Sequence, residues 1–406
     1  MVCLAALLGA AGPAGAGEGE VEEDRAPTFF EAFTEGSFTV DLRYRFEFVD
    51  DAGFDKDAEA STLRNAFSFE TAAYRGFFGG FVLENVTAIG SDTLYDNRGA
   101  GRLSNGVTDR PGVADPALTE VDRAYIGYRG PLGLELRAGR IDYTLDNQRF
   151  VGIAPWRQSY RSYDAFSAAL GRPGGWRARY AYLDRVNYNN GSRPALEGHL
   201  FQVSRASGVG EFSAYAYLLD WGAEDRAALS SGTFGARLQG SRTLRGTDVL
   251  YLAEYARQVD HGDNPGEFSL DYAHAVLGAR KGPWTLQVGW ELKDGDGTNA
   301  VQTPLGTNHG KNGFADRLVV TPPDGSQDRY VSLRIDRKTW AAYVAYHDFQ
   351  AARGGADLGR EVDLQARYSA TRALSLHFKL ARYWADTLSQ DTTKVMLWAT
   401  WSLDVL

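Results

Sequence analysis

The chain has 406 residues, of which 44% are hydrophobic and 13% aromatic, so it is long and apolar enough to build a substantial core. Its longest uncharged apolar stretch, residues 1–17, is too short for a membrane-spanning helix, whereas membrane-spanning strands need only about ten alternating residues. The single cysteine excludes a disulfide framework, a four-cysteine zinc site and an iron-sulfur cluster. The net charge of −9 argues against duplex nucleic acid, so we expect no nucleic-acid partner.

The beginning of the chain is typical of an export signal followed by a linker. An apolar run precedes Ala14-Gly15-Ala16, the arrangement of small residues that signal peptidase accepts, which predicts a signal peptide over residues 1–16. Since no basic residue precedes Arg25, we expect the true start to lie upstream, and a disordered cytosolic tail is the alternative. We assign residues 17–35 to a periplasmic linker and residues 36–406 to one folded domain.

The rest of the chain alternates apolar and polar residues with a period of two. From Phe38 to Phe48 every even position is apolar and every odd one is polar or charged, which predicts a strand with two unlike faces. The pattern recurs over about eighteen segments, and no helical period persists beyond a turn or two. The fold class is therefore all-β, with an even number of strands as in single-chain outer-membrane barrels.

The connections between these segments alternate in length. Short turns, such as 171–175 and 244–247, are each followed by longer polar connections, such as 142–161 and 294–327. Transmembrane barrels have short periplasmic turns and long extracellular loops, whereas soluble sandwiches and propellers do not sort their loops in this way. We therefore predict a single transmembrane antiparallel β-barrel of about 18 strands in a bacterial outer membrane, with aromatic girdles at the strand ends.

The polar face of the strands, which we expect to face the lumen, is rich in arginine. Of the 43 basic residues only seven are Lys, for which a GC-rich genome is the alternative explanation. Guanidinium groups bind carboxylates in a bidentate manner, so inward arginines are candidates for contact with an anionic solute. Cross-strand pairing with interspersed acids is the structural alternative. The inward candidates are Arg43, Arg45, Arg137, Arg177 and Arg179.

Motifs for enzymatic chemistry are missing from the sequence. It contains no Gly-x-Ser-x-Gly, no phosphate-binding loop and no His-Glu-x-x-His, and its six histidines are scattered. Asp294-Gly295-Asp296-Gly297 is similar to part of a calcium loop but lacks the remaining ligands, which favours a solvated turn. We expect no enzyme activity, no cofactor and no bound metal.

Two blocks of sequence resemble the alginate export family of bacterial outer-membrane barrels. The first comprises Gly139-Arg140, Leu145-Asp146-Asn147-Gln148-Arg149-Phe150-Val151-Gly152, Trp156-Arg157-Gln158 and Tyr163-Asp164-Ala165. The second comprises Gln302-Thr303-Pro304-Leu305-Gly306-Thr307-Asn308-His309 and Gly313-Phe314-Ala315-Asp316. Arg123-Ala124-Tyr125-Ile126 fits the same pattern, and the resemblance extends from about Phe38 to the end of the chain.

The resemblance implies an eighteen-stranded, Arg-lined barrel that passes an anionic polysaccharide outward through a gated pore. Because the first block follows a strand, its charged residues are expected to fold inward as a constriction. These residues are Arg140, Arg149, Arg157, Arg161, Asp146 and Asp164. Trp156 is a candidate for stacking on a sugar or, as we favour, for anchoring the loop. His309 and Asp316 are candidates for substrate contact or for a hydrogen bond that locks the later loop.

The expected function is an outer-membrane channel for an alginate-like uronate polymer or related anionic solutes. The expected partners are outer-membrane lipid and lipopolysaccharide, an anionic oligo- or polysaccharide, and periplasmic export partners. A general diffusion porin without substrate preference is one alternative, and a barrel-borne enzyme or adhesin is another.

Overall fold

Antiparallel strands dominate the computed structural model, which describes residues 28–172 and 174–405. A short helix, α1 (Glu31–Thr34), precedes them, and the expected signal peptide lies outside the described residues. The strands are β1 (Ser37–Asp51), β2 (Ala58–Glu70), β3 (Phe77–Ala88), β4 (Leu118–Arg129), β5 (Glu135–Ile141), β6 (Ser162–Leu170), β7 (Trp176–Asn187), β8 (Ala195–Ser207), β9 (Gly210–Trp221), β10 (Ser231–Leu244), β11 (Thr247–Asp260), β12 (Ser269–Lys281), β13 (Trp284–Lys293), β14 (Ser326–Asp336), β15 (Trp340–Gln350), β16 (Asp357–Ser369), β17 (Leu374–Ala385) and β18 (Thr392–Asp404).

The strands form one sheet that closes on itself. Each strand pairs antiparallel with its sequence neighbours, and β1 also pairs with β18, from Thr39 opposite Asp404 to Asp51 opposite Thr392. Every strand of the described chain therefore has a partner on both edges, as a barrel surrounded by lipid requires. This confirms the prediction of a single eighteen-stranded antiparallel β-barrel.

The two rims of the barrel differ in the length of their connections, as predicted. One rim has tight turns, including a two-residue turn in which Arg245 and Gly246 have φ of 51° and 77°. Positive φ at both positions matches the twist of the flanking strands, which suits a two-residue hairpin. The opposite rim carries the long loops, among them residues 89–117, 142–161 and 294–325.

The outer face of the barrel is apolar. Ile126, Leu277 and Val288 expose 70%, 58% and 51% of their surface, which is unfavourable in water and favourable against lipid. Exposed rings lie near the strand ends at Trp176, Trp284, Trp340, Tyr346, Trp384 and Trp401, where the sequence predicted aromatic girdles. No helix among the described residues is long and apolar enough to cross a membrane.

The inner face is polar and is covered by two loops. In β1, Arg45 and Glu47 are 2% and 1% exposed, whereas Tyr44 between Arg43 and Arg45 is 43% exposed. The β5–β6 loop (residues 142–161) and the β13–β14 loop (residues 294–325) fold back toward this face. Their apolar side chains pack on inward aromatic rings in one buried cluster, whose members include Leu145, Val151, Leu305, Tyr217 and Tyr272.

Candidate functional site in the barrel lumen

The β5–β6 loop is attached to the barrel wall through Arg43 of β1. Its guanidinium donates to the carbonyl oxygens of Pro155 at 3.3 Å, Gln158 at 3.1 Å and Arg157, and Nε donates to Gln158 Oε1 at 2.7 Å. No strand ladder pairs with these three loop carbonyls, so the arginine supplies their donors. The expected inward folding of the loop is what the structure shows.

Arg45, two residues further along β1, holds the same loop. Its Nη1 donates to the carbonyl oxygen of Trp156 at 2.6 Å, and its Cζ lies 3.8 Å from the centroid of the Trp156 ring. Carboxylates of Glu47 at 2.5 Å and Asp115 at 3.6 Å balance its charge. With Arg43 8% and Arg45 2% exposed, both guanidinium groups serve the loop and present little surface to a solute.

Gln158 is the centre of this attachment, and the sequence analysis did not single it out. The side chain is fully buried; its amide nitrogen donates to Thr62 Oγ1 at 2.9 Å and to the Arg43 carbonyl at 3.2 Å. Its backbone N–H donates to Asp115 Oδ1 at 2.9 Å. Candidate residues were chosen mainly for their charge, and the Gln158 side chain is uncharged. Its position within the first block of sequence that resembles the family was the only indication of its role.

Buried carboxylates of the wall hold the β13–β14 loop. The backbone N–H of Phe314 donates to Asp363 Oδ2 at 3.1 Å, and that of Ala315 donates to Glu361 Oε1 at 2.7 Å. Glu361 and Asp363 are 0% and 1% exposed. The paired acids of this strand therefore bind main-chain donors of a loop, which is a structural task.

Arg149 joins the two loops to β13. It forms an ion pair with Glu291, both side chains being 2% exposed, and donates to Asn312 Oδ1 at 3.2 Å. Nearby, Lys311 Nζ donates to the carbonyl oxygen of Asn147 at 2.7 Å. Burial, followed by repulsion from Arg149, lowers the pKa of Lys311 to about 7. Each loop thus supplies a cation that binds the wall or the other loop.

A stack of Trp156 on His309 makes a second junction between the loops. The two rings lie 4.1 Å apart at 7°, while His309 Nδ1 is 2.8 Å from Asp316 and Nε2 is 2.9 Å from Lys379 Nζ. An ammonium group can only donate, so Nε2 accepts and the proton is at Nδ1, which donates to Asp316. The imidazole is therefore neutral, in agreement with a pKa that burial lowers to about 3.

Asp316 connects the loop junction to the wall and to the first loop. Besides His309, its carboxylate lies 3.0 Å from Lys394 Nζ and 3.6 Å from Arg157 Nη2. Burial opposes ionisation, but His309, Lys394 and Arg157 hold the pKa of Asp316 well below its usual range. The geometry favours the loop-anchoring reading of Trp156 and the loop-locking reading of the His309 and Asp316 pair.

The inward arginines of β5 and β7 are more accessible than those of β1. Arg137 is 25% exposed and is paired with Glu135 at 3.1 Å and with Asp142 at 3.7 Å. Arg177 and Arg179 are partly exposed, and no carboxylate of the described residues lies within ion-pair distance of either. A solute can therefore reach Arg177 and Arg179 without displacing a carboxylate partner among the described residues.

The remaining loop candidates, Asp146 and Arg161, differ in exposure. Asp146 is exposed and accepts hydrogen bonds from Gln202 at 2.8 Å and Ser213 at 3.2 Å. Arg161 is 7% exposed and donates to the carbonyl oxygen of Gly306 at 3.1 Å, which ties it to the other loop. Asp146 therefore contributes to the accessible lumen surface and Arg161 to the loop framework.

Arg140 and Asp164 do not lie in the constriction, which corrects the expectation from sequence. They are paired residues of β5 and β6, with Arg140 Nε 2.7 Å from Asp164 Oδ1. Their neighbours Ile141 and Tyr163 are fully buried on the inner side. Since successive strand residues face opposite ways, the Arg140 and Asp164 pair lies on the outer face.

Asp296 forms a capped turn, as the sequence favoured. Its Oδ1 accepts hydrogen bonds from the backbone N–H groups of Thr298 at 2.8 Å and Asn299 at 2.7 Å. No group of three or more His, Cys, Asp or Glu within the described ranges is arranged to hold a metal ion.

Comparison with known proteins identifies the family. The sequence profile described as alginate export matches residues 34–318, which is more than two thirds of the chain and includes both inward loops down to Leu318. The chain belongs to the alginate export family. It is thus an integral outer-membrane protein and a transport channel, as predicted. Among curated proteins, no relative matches the sequence.

Solved structures similar to this alginate export barrel share its fold at low sequence identity. OccAB2 of Acinetobacter baumannii is 15% identical with a TM-score of 0.72, over 93% of this chain and 100% of its own. OpdK of Pseudomonas aeruginosa with vanillate is 12% identical with a TM-score of 0.73, over 92% and 99%. OccK2 (OpdF) of Pseudomonas aeruginosa in complex with glucuronate is 13% identical with a TM-score of 0.70, over 92% and 98%.

Substitution His309→Ala is expected to loosen the loop junction of this channel. It removes the stack on Trp156 and a hydrogen bond to Asp316, together roughly 2 to 3 kcal/mol. We expect noisier open-channel current in planar bilayers and faster cleavage of the β13–β14 loop by protease. His199→Ala, on the outer face with 34% exposure, is the control and should behave as wild type. A quiet current in His309→Ala would mean that the loop is held without this junction.

Proposed function

We propose that this alginate export channel conducts anionic saccharides of the uronate class past Arg177 and Arg179. The observation that carries the proposal is that both arginine side chains are partly exposed in the lumen, with no carboxylate of the described residues within ion-pair distance. They are two residues apart on one strand face, so about 7 Å separates their backbone positions. A carboxylate in transit can pair with either in bidentate geometry and pass from one to the next.

The surroundings of these arginines support transient binding. Arg137 is shared with Glu135 and Asp142, and exposed Asp146 lies on the loop that covers the same wall. A solute must bind well enough to enter and weakly enough to leave, and interspersed acids weaken each anion site. We infer a series of moderate sites and a transport role rather than an enzymatic one.

The similar structures support a carboxylate cargo. Two of them were solved with vanillate and with glucuronate, both of which are carboxylates, and the second is a uronate. An alginate-like polymer repeats that group along its length. The proposed cargo is therefore consistent with the family and with the chemistry of Arg177 and Arg179, whose guanidinium groups can bind carboxylates.

Block of the wild-type current by short oligouronates tests this function. In planar bilayers we expect an anion-selective pore whose current falls as oligouronate is added, because the sugar carboxylates pair with Arg177 and Arg179. A neutral oligosaccharide of the same length is the control and should block much less. Equal block by both sugars, or by neither, would assign the protein to the general diffusion porins.

A further inference from the structure

A row of polar and aromatic side chains crosses five neighbouring strands, β13 to β17. Trp290 is paired with Arg329, Arg329 with Asp348, Asp348 with Arg360, and Arg360 with Trp384. Directly paired residues of antiparallel strands project from the same face of the sheet. All five side chains therefore share one face, and we refer to them as the outer arginine row.

Alternation along the strands identifies that face as the outer one. On β14, Val331 has the same parity as Arg329 and is 42% exposed, whereas inward Asp328 is 1% exposed. On β15, Tyr346 has the same parity as Asp348 and is 40% exposed, whereas inward His347 is 4% exposed. The row therefore continues the apolar belt of the barrel upward, toward the rim with the long loops.

The height of the row corresponds to the membrane interface. Arg329 is the fourth residue of β14 and Arg360 the fourth of β16, so each lies about 10 Å along the strand from the rim with the long loops. Trp384 is 41% exposed, and Trp290 Nε1 donates to Gln327 at 3.2 Å. Such rings belong at the lipid headgroup level, where an exposed arginine costs little.

The two arginines of this row are not ion-paired, unlike Arg257 elsewhere on the outer face. Arg329 and Arg360 are exposed, and neither lies within ion-pair distance of a carboxylate among the described residues, although Asp348 separates them. By contrast, Arg257 is paired with Asp271 at 2.7 Å across β11 and β12. Two unpaired charges beside lipid call for an anion supplied by the surroundings.

A third arginine extends the charged surface. Arg382 of β17 has its Cζ 5.8 Å from the Trp384 ring centroid, so it borders the row. Its Nη1 donates to Thr393 at 2.7 Å and its Nη2 lies 3.2 Å from Asp391, which leaves it one third exposed with donors to spare. Trp384 therefore lies next to Arg360 on the paired strand and to Arg382 on its own strand, and Arg329 lies beside Trp290 at the other end of the row.

We propose that Arg329, Arg360 and Arg382 form a binding site for the phosphate groups of a lipid headgroup in the outer leaflet, of the kind that lipopolysaccharide carries. Guanidinium groups bind phosphate through paired N–H donors, and Arg329 and Arg360 lie two strands, or about 10 Å, apart. That span suits a headgroup with two separate phosphates. The apolar belt below receives the acyl chains, and Trp384, paired with Arg360, lies at the height of the headgroup.

The site is tested with the full-length protein in detergent micelles and diphosphorylated lipid A as the probe, measured by native mass spectrometry. We expect the Arg329→Gln, Arg360→Gln double variant to bind lipid A at least about tenfold more weakly, because each lost pair is charge-assisted. The matched control Arg257→Gln, with its arginine on the outer face but already paired, should bind as wild type. Wild-type affinity in the double variant would overturn the proposal.

Two further probes identify the group that is recognised. Dephosphorylated lipid A should bind more weakly than the phosphorylated form, and binding as strong as lipid A would replace the phosphate assignment with an apolar one. Inorganic phosphate should not displace lipid A at equal concentration, and displacement would refute a lipid site. Wild-type conductance in both variants shows that they fold, and because the row is outside the lumen, the result is independent of the cargo.

Discussion

Replacing Arg149 with alanine is expected to release the β5–β6 loop and to raise the single-channel conductance severalfold. Arg149 and Glu291 form a buried ion pair in the lumen, and Asn312 of the other loop is bound to both. Removal of one partner leaves the other charge uncompensated, which costs about 3 to 5 kcal/mol. The strand ladders do not involve this pair, so the barrel persists while the loop leaves the wall.

Conductance in planar bilayers, with heat modifiability as the check on barrel folding, measures this effect. Lys56→Ala is the control, since Lys56 and Asp109 also form an ion pair, at 2.5 Å, but are 55% and 60% exposed in outer loops. A surface pair of this kind is screened by solvent and contributes little. If Arg149→Ala conducts like wild type, the contacts of Arg43, Arg45 and Gln158 are sufficient to hold the loop.

Reversing the charge of Arg177 and Arg179 together is expected to turn an anion-preferring pore into a cation-preferring one. Both side chains are partly exposed on the inward face of β7 and have no carboxylate partner among the described residues. Their charge therefore acts directly on ions in transit. Two substitutions to glutamate reverse two charges a few ångströms from the path, which should alter the permeability ratio roughly tenfold.

The reversal potential in a salt gradient measures this selectivity. Arg205→Glu is the matched control, because Arg205 is on the adjacent strand β8, opposite Trp176 on the outer face, with its Cζ 5.2 Å from that ring. It should leave selectivity unchanged. The effect of the double variant should shrink as salt rises, since screening shortens the range of the charge. Unaltered selectivity would place the conducting path away from β7.

The barrel could be predicted from sequence because its determinants are local. The alternation from Phe38 to Phe48 lies within β1 (Ser37–Asp51), and the loop predicted over residues 142–161 has those bounds in the structure. An alternation with a period of two indicates which side chains face the lipid, and the neighbouring strands need not be known. The lengths of the connections can likewise be counted directly from the sequence.

The partners of the inward arginines could not be predicted, because they are far away in sequence. Arg43 faces inward as expected, yet it binds Gln158, 115 residues away. The sequence analysis also did not single out the carboxylates of Asp122, Glu254 and Asp328, which are all buried. Periodicity identifies the side chains that face the lumen. Which of their charges are already paired depends on the folded loops.

The misplacement of Arg140 and Asp164 has a different cause. They border the constriction loop in sequence, but a shift of one residue along a strand moves a side chain to the other face. The ladder between β6 and β7 also slips between Asp164 and Ala165. Such a bulge changes which residues of the strand face inward, and no sequence pattern marks it. A motif at a strand end therefore does not indicate whether its side chains face the lumen or the lipid.

The seam between β1 and β18 makes the barrel cooperative as a whole. All other strand pairs join sequence neighbours, but Thr39 and Asp404, which pair across the seam, are 365 residues apart. Closing so long a segment costs roughly 3 kcal/mol more entropy than closing a hairpin. Hairpins can therefore form early and one by one. The lumen and the loop contacts inside it exist only after β1 and β18 have paired.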